Sequence, residues 1–285
     1  MTPLRQQMIE AMQLRGFSER THKSYLSAVH DLARYFHRTP ASLNVDDLQA
    51  YFKYLACERQ LSGSSCSLYL NAVRFLYLQV LKWPTFDVPL VIPKRAQRIP
   101  ELLTRAEVAL ILQACPNDKH RLILALCYGC GLRVSEVVAV RVRHIDGERH
   151  LLRIEQSKGA KDRNVLIAPT LLDSLRRYWQ REHPADWLFP TPRSSENHLS
   201  ITTAQKIFKR AKHHSGVEKI GGIHSLRHAY ATHQLDSGLP IQQLQYLLGH
   251  RNLQSTLRYV HWVPMEQKGV AGHADLVGAL EVSHE

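Results

Sequence analysis

Apolar residues recur at helical spacing through the first ninety positions, and this periodicity limits the fold of that part of the chain more than any other feature. The apolar stripes, interrupted by the Gly-Ser-Ser break at 63–65, consist of Tyr25, Val29, Leu32 and Phe36, then Leu48, Phe52 and Leu55, then Val73, Leu76, Tyr77 and Val80. A stripe of this kind buries one face of a helix against a partner. We therefore predict a small helical bundle over residues 1–90, whose exposed lysines and arginines form either a solvated face or a phosphate-binding face.

The chain changes character at a proline-rich, basic stretch, which we interpret as a linker over residues 91–102. Pro93 and the nearby Lys94, Arg95 and Arg98 lie in this stretch, and proline favours extended backbone. A length of 285 residues is about twice that of a typical domain, which also favours a division into two. We assign residues 103–263 to a second domain and residues 264–285 to a C-terminal tail.

The second domain is predicted to combine helices with one hairpin. Apolar runs on either side of the polar stretch 157–162 predict a β-hairpin with a basic tip. Helices are expected to begin at the capping box formed by Thr104 and Glu107, near Arg121, at Pro169, at a cap on Thr202 and at Ile241. The predicted fold class is mainly α with a small antiparallel β-sheet.

Lysines and arginines outnumber acidic residues by 37 to 25, which gives the chain a net charge of +12. Both predicted domains are basic, whereas the tail 264–285 is acidic. A basic excess of this size favours a polyanionic partner. No apolar run approaches the roughly 20 residues of a membrane helix, and the first residues lack the apolar core of a signal peptide. We therefore expect a cytoplasmic protein without membrane contact.

Two residue pairs have the spacing of metal ligands. Cys127 and Cys130 resemble half of a zinc knuckle, but their segment is apolar and no second pair accompanies them, so we interpret them as core residues. His224 and His228 are one helical turn apart, but their segment offers no acidic third ligand. We predict no metal and no cofactor. The odd number of cysteines, 5, favours free thiols over a disulfide framework.

The chain lacks the Walker A loop, the G-x-S-x-G motif and the H-E-x-x-H motif, which argues against nucleotide hydrolysis, serine hydrolysis and zinc proteolysis. What remains is a series of cationic and imidazole residues at breaks in the apolar pattern, followed by a tyrosine: Arg133, Lys158, His224, Arg227, His250 and Tyr259. Each has a simpler interpretation alone; Arg133 could merely pair with Glu136 at i, i+3. Only their occurrence together in one chain favours a shared functional site over these simpler interpretations.

In this order, the residues resemble the motifs of the tyrosine recombinases, the family of phage integrases and Xer proteins. Residues 131–136 resemble its first-arginine box, 157–163 its lysine hairpin, 224–229 its His-x-x-Arg box, 247–250 its second-histidine box, and Tyr259 its nucleophile. The similarity covers about residues 20 to 263. It implies a helical SAM-like core-binding domain followed by a mixed α/β catalytic domain. It also implies site-specific DNA recombination through a 3′-phosphotyrosyl intermediate, without metal or ATP.

The residue types fit the implied chemistry. Arg133 and Arg227 present planar forks that can neutralise a phosphate as charge builds in the transition state. Lys158 is the expected general acid for the leaving 5′ oxygen, provided that neighbouring cations lower its pKa. His224 is expected to accept the proton of the tyrosine, and His250 to donate to the phosphate.

The resemblance also implies the partners: double-stranded DNA with inverted half-sites, bound by a homotetramer on two sites in the nucleoid. The role would be integration, excision, resolution or transposition of a DNA element. A type IB topoisomerase, which uses the same intermediate as a monomer on any duplex, is an alternative. A DNA-binding or architectural protein that does not cleave DNA is a second alternative, although none of the motif residues is missing. We predict a subunit contact by the tail, where Pro264, Gly269 and Gly272 interrupt the helix expected from the family.

Overall fold

The computed structural model describes residues 2–89, 101–155, 162–192 and 194–262. The chain divides into two compact units, Met1–Arg98 and Ile99–Glu285. Most of the predicted linker and the whole tail 264–285 lie outside the described residues, so the domain limits and the subunit contact stay predictions. Helices dominate both units and the described strands all lie in the second, which confirms the predicted fold class. Over the described ranges, no helix has the length and apolarity to span a bilayer.

The first unit is a helical bundle, as the periodicity predicts. Its described α-helices are α1 (Pro3–Leu14), α2 (Glu19–Phe36), α3 (Val45–Lys53) and α4 (Gly63–Phe75), and α3 and α4 continue as the π-helical turns Tyr54–Glu58 and Leu76–Val80. Leu32, Leu48 and Tyr77 from the predicted stripes are fully buried. The sequence analysis did not predict α1, which completes the core with Met8 and Met12.

The second unit packs five of its helices around one buried helix. Its described elements are α5 (Arg105–Gln113), α6 (Asp118–Gly129), α7 (Val134–Val138), β1 (Ile145–Asp146), β2 (Leu151–Ile154), β3 (Arg163–Leu166), α8 (Pro169–Glu182), β4 (Pro190–Thr191), β5 (Ser194–His198), α9 (Ile201–His214), α10 (His224–Asp236), α11 (Ile241–Leu248) and α12 (Gln254–Trp262). The apolar α6 contacts α5, α7, α8, α9 and α10, and the last two helices, α11 and α12, pack against α10. Cys127 and Cys130 are buried in this core, as predicted for small core residues.

Strands β1, β2 and β3 form an antiparallel sheet, in which Leu152 lies opposite Val165. This register buries alternate residues of β2 and β3 and confirms the predicted hairpin. The tip at 156–161, which includes Lys158, lies outside the described residues. Strands β4 and β5 form a second antiparallel pair.

Local capping rules predict the start of α5 correctly but not that of α9. The Thr104 hydroxyl accepts from the Glu107 N–H at 3.2 Å, and the Glu107 carboxylate accepts from the Thr104 N–H at 2.7 Å, so the predicted capping box is confirmed. The predicted cap at Thr202 is wrong. Helix α9 begins at Ile201 because the Ser200 hydroxyl accepts from the Thr203 N–H at 3.1 Å, which places Thr202 inside the first turn.

Candidate active site

The predicted nucleophile, Tyr259, lies on α12 and is only 3% exposed. Its ring is parallel to that of His250, within 6° at a centroid distance of 6.2 Å, and meets Trp262 edge-on at 5.1 Å. The phenol oxygen is 3.1 Å from Nδ1 of His228. Aromatic packing therefore fixes the ring, while His228 of α10 holds the reactive oxygen.

Three guanidinium groups converge on the carboxylate of Glu136 in α7. Arg163, the first residue of β3, donates to both carboxylate oxygens, at 3.0 and 2.9 Å. Arg133 donates from Nη1 at 2.7 Å, and Nη1 of Arg227 lies 3.6 Å away. The simple i, i+3 pairing considered for Arg133 therefore exists, but within a larger cluster that brings both predicted arginines together.

The same arginines bind the carboxyl end of α11. Three successive carbonyl oxygens, of residues 247–249, accept from Nε of Arg163 at 2.8 Å, from Nη2 of Arg227 at 2.6 Å and from Nη2 of Arg133 at 3.3 Å. The last carbonyls of a helix have no partner within the helix and carry its negative partial charge, so this end is suited to binding cations. Gly249 ends the helix with a φ of 61°, a left-handed conformation that glycine adopts readily.

Burial and charge oppose each other in this cluster. Burial alone would raise the pKa of Glu136, but the hydrogen bonds and charge of Arg163, with Arg133 and Arg227, lower it to about 2. Burial lowers the pKa of Arg227 to about 10, and the Arg133 charge acts in the same direction. Both groups are therefore charged at neutral pH. The Arg133 side chain keeps 33% of its surface exposed, whereas that of Arg227 keeps 4%.

His250 follows Gly249, and both of its ring nitrogens have partners. Nε2 lies 3.2 Å from Nη2 of Arg227, and Nδ1 lies 2.9 Å from Oγ1 of the buried Thr256. Because a guanidinium can only donate, Nε2 accepts here and Nδ1 carries the proton. The expected donation from His250 to a phosphate would thus require Nε2 to gain a proton and release Arg227.

His224 is the first residue of α10, and its side chain is exposed. Partial burial, followed by the charges of Arg227 and Arg133, lowers its pKa, which indicates that its imidazole is neutral close to the two arginines. In the part of the chain that the structure describes, however, the imidazole hydrogen-bonded to the Tyr259 phenol belongs to His228. Burial raises the pKa of Tyr259 more than the charges of Arg227, Arg258 and Arg133 lower it, so the surrounding charge alone does not favour the phenolate.

The structure thus brings Arg133, Arg227, His250 and Tyr259 into one cluster, with His224 beside them, while Lys158 lies outside the described residues. The sequence motifs assign no site role to Glu136, Arg163 and His228. Signals for all three were present: an acidic residue three positions after the first arginine, an arginine at the base of the hairpin, and a histidine one turn after His224. Among the described residues, no group of three or more His, Cys, Asp or Glu side chains converges as a metal site would require.

Comparisons with known proteins agree over both units. A family model described as the phage integrase family matches residues 101–265, and one described as the N-terminal SAM-like domain of phage integrases matches residues 4–85. A Sinorhizobium fredii protein, y4qK, whose designation as an integrase/recombinase is provisional, is 41% identical over 91% of this chain and 84% of its own length. Tyrosine recombinase XerD of Pseudomonas putida is 31% identical over 91% of this chain and 92% of its own length.

Solved structures show the same fold. The XerH site-specific recombinase in a post-cleavage complex with a palindromic difH substrate superimposes with a TM-score of 0.72 at 18% identity, over 92% of this chain and 82% of that one. The fold and the cluster define a catalytic domain of the tyrosine recombinase type joined to a helical SAM-like domain. The chain belongs to the phage integrase family and is a site-specific tyrosine recombinase.

Proposed function

We propose that the protein cleaves and rejoins duplex DNA with Tyr259 as nucleophile, through a 3′-phosphotyrosyl intermediate and without metal or ATP. The observation that carries this proposal is the position of Tyr259, whose ring stacks on that of His250 at 6.2 Å, while Nε2 of His250 lies 3.2 Å from Arg227 in the cluster of arginines at Glu136. Fixed cations at the reacting oxygen can stabilise the charge of a phosphoryl-transfer transition state without a metal ion.

The remaining predicted site residues fit this reaction as follows. Arg133, the more exposed of the two predicted arginines, and Arg227 neutralise the non-bridging oxygens of the scissile phosphate. His224 and His250 supply imidazoles beside these arginines. Lys158 protonates the leaving 5′ oxygen, a role that rests on the motif resemblance alone.

The phosphotyrosyl bond conserves the energy of the broken phosphodiester, so a 5′ hydroxyl from a second duplex can reverse the attack. This step makes recombination possible without ATP. We propose a homotetramer on two DNA sites, each with inverted half-sites, in which the tail 264–285 contacts a neighbouring subunit. Support comes from relatives with a described DNA partner: XerH was solved on difH, and a lambda integrase fragment as a dimer on a core site. Such a reaction places the enzyme with the DNA of the nucleoid.

Covalent trapping tests the proposal. The protein is incubated with a randomised pool of nicked duplexes in the presence of a chelator and without ATP, and DNA that stays attached after denaturation is sequenced. The expected result is a covalent adduct in which one sequence recurs as an inverted repeat, and the Tyr259→Phe variant forms none. Tyr246→Phe is the matched control because Tyr246 is 58% exposed, so this variant should react like the wild type.

Two outcomes would contradict the proposal. An adduct that persists in Tyr259→Phe would overturn the nucleophile, and loss of the adduct on chelation would overturn the metal-free mechanism. Adducts without any recurring sequence, together with relaxation of supercoiled DNA by the monomer, would favour the topoisomerase alternative.

A further inference from the structure

His228 contacts the reacting oxygen of the proposed nucleophile. Its Nδ1 lies 3.1 Å from the phenol oxygen of Tyr259, and the two ring centroids are 5.7 Å apart. The imidazole also meets Trp262 edge-on, at 5.5 Å and 90°. Side chains from two consecutive turns of α12 therefore hold this histidine against the phenol.

The contacts of the Tyr259 hydroxyl determine which group accepts its proton. Among the described side chains, the geometry pairs the Tyr259 oxygen with Nδ1 of His228. If Nδ1 donated, the phenol proton would have no acceptor among these side chains, because a guanidinium such as that of Arg227 can only donate. The arrangement that satisfies both groups has the phenol O–H donating to Nδ1 of His228, with the imidazole proton on Nε2.

His224, the histidine expected from the sequence to take this proton, is one turn earlier on α10 and is exposed. Among the hydrogen bonds of the described residues, it makes none to Tyr259. Its neighbours are the arginines expected to bind phosphate, Arg227 and Arg133. His224 and His228 thus face different parts of the reaction.

We propose that His228 is the proton acceptor for Tyr259 in strand cleavage, an assignment that rests on the function proposed above. As the phenol oxygen attacks phosphorus, its proton passes to Nδ1 of His228, and the bond between phosphorus and the 5′ oxygen breaks. The leaving oxygen takes a separate proton from Lys158. In rejoining, the 5′ oxygen bonds to phosphorus and gives its proton back to Lys158, while His228 returns its proton to the tyrosine oxygen as the phosphotyrosyl bond breaks. His224 is left to contact the phosphate.

The surroundings keep His228 ready to accept a proton. Burial and the charges of His224, Arg227 and Arg258 lower the pKa of His228 to about 4, so it is neutral in the absence of DNA. A bound phosphate would pair with the arginines and add negative charge, which raises the pKa of His228 and favours proton transfer when Tyr259 attacks.

Single-turnover cleavage of the duplex pool recovered by trapping tests the assignment, over a range of about pH 5 to pH 9. In His228→Asn, the amide retains an oxygen acceptor near the position of Nδ1 but cannot take up a proton. We expect this variant to bind DNA like the wild type. At neutral pH it should cleave the DNA at least about 100-fold more slowly than the wild type. Its rate should rise about tenfold per pH unit, because phenol ionisation must then precede the attack.

The matched control is His233→Asn. His233 lies on the same helix, and its Nδ1 makes an equivalent bond of 3.0 Å to the Tyr128 hydroxyl, away from Tyr259. A purely structural effect of losing a histidine–tyrosine bond would slow both variants alike, whereas the proposal predicts normal cleavage and an unchanged pH profile for His233→Asn. A sulfur in place of the bridging 5′ oxygen separates the two proton transfers further. It should restore cleavage by Lys158→Ala, because a thiolate leaves without a proton, but not by His228→Asn.

A second measurement needs no DNA. In nitrogen-15 imidazole spectra, Nδ1 of His228 should be an unprotonated, hydrogen-bonded acceptor whose resonance shifts in Tyr259→Phe. A protonated Nδ1 would overturn the assignment, as would a normal rate and pH profile in His228→Asn when the wild type reacts. If the wild type forms no adduct at all, the proposed function itself fails, so the two failures are distinguishable.

Discussion

The Glu136 carboxylate compensates positive charges that have almost no access to water, since the side chains of Arg163 and Arg227 are 3% and 4% exposed. Glu136→Gln preserves the shape of the residue but removes the charge. Breaking a buried ion pair in this way costs about 3–5 kcal/mol, because the remaining charges stay buried without compensation. We expect a loss of this size in the free energy of unfolding by urea. Asp186→Asn, which breaks a pair with Arg141 that is partly exposed, should cost less than about 1 kcal/mol.

The same variant should change how stability depends on pH. The pKa of Glu136 falls from 4.5 in the unfolded chain to about 2 in the fold, so its contribution is complete above the unfolded value and is lost as pH decreases from 4.5 toward 2. The difference in unfolding free energy between wild type and Glu136→Gln should therefore shrink across this interval. Equal losses in Glu136→Gln and Asp186→Asn, or a gap that does not change with pH, would contradict the assigned role of the buried carboxylate.

The connection between α6 and α7 depends on Gly131. Its φ of +61° disfavours other residues, and a Cβ there would lie 2.5 Å from Cδ1 of the buried Tyr230. Its carbonyl accepts from Nη1 of Arg227 at 2.7 Å. Gly131→Ala must therefore displace a packed ring on α10 as well as strain the backbone, and we expect it to lower the unfolding free energy by about 2–4 kcal/mol.

Gly216→Ala separates the two effects. Gly216 has a φ of +71°, but nothing lies within 4 Å of the position of its Cβ. Gly216→Ala should therefore lose only the free energy of backbone strain, about 1–2 kcal/mol. Urea unfolding of both variants measures the difference, and equal losses would mean that Tyr230 moves without cost.

How far the sequence predicts these elements depends on how local their determinants are. The ends at Thr104, Pro169 and Gly249 follow from side-chain caps, proline geometry and glycine at positive φ, all of which act within one turn. Helix α1 was missed because its buried Met8 and Met12 make only a narrow apolar stripe in a polar segment. The cap of α9 was misplaced because two hydroxyl residues compete within three positions.

The site was predictable only as a set of residue types. Arginine and histidine at breaks in the apolar pattern predict three members of the cluster, Arg133, Arg227 and His250, but the contacts that define their roles join distant segments. Arg163 reaches Glu136 from β3, across 27 positions, and His228 reaches Tyr259 from another helix, across 31. No local pattern encodes such pairs. The sequence motif therefore assigns the phenol proton to His224, whereas the contact in the fold leads us to propose His228, one turn later.

Across the whole molecule, positive charge lies both on the exposed surface and in the buried arginine cluster, and salt should affect these two groups differently. The excess of +12 is spread over both units, and most of its lysines and arginines are exposed. A protein that neutralises about 6–10 phosphates releases as many counterions and loses roughly 10³–10⁵ in affinity between 50 and 200 mM salt. The arginines around Glu136, by contrast, are largely buried, and buried charges are screened much less.

We therefore expect salt to weaken DNA binding steeply while changing the chemical step little. Binding is measured with Tyr259→Phe, which cannot form the covalent bond, by fluorescence anisotropy on a labelled duplex from the trapping experiment. Cleavage by the wild type is measured in single turnover at protein concentrations that saturate the DNA at each salt concentration. The affinity should fall by at least about 10³ over this interval, whereas the saturated rate should stay within a few-fold. A saturated rate that falls in parallel with affinity would mean that mobile, solvent-screened charges stabilise the transition state instead of the buried arginines.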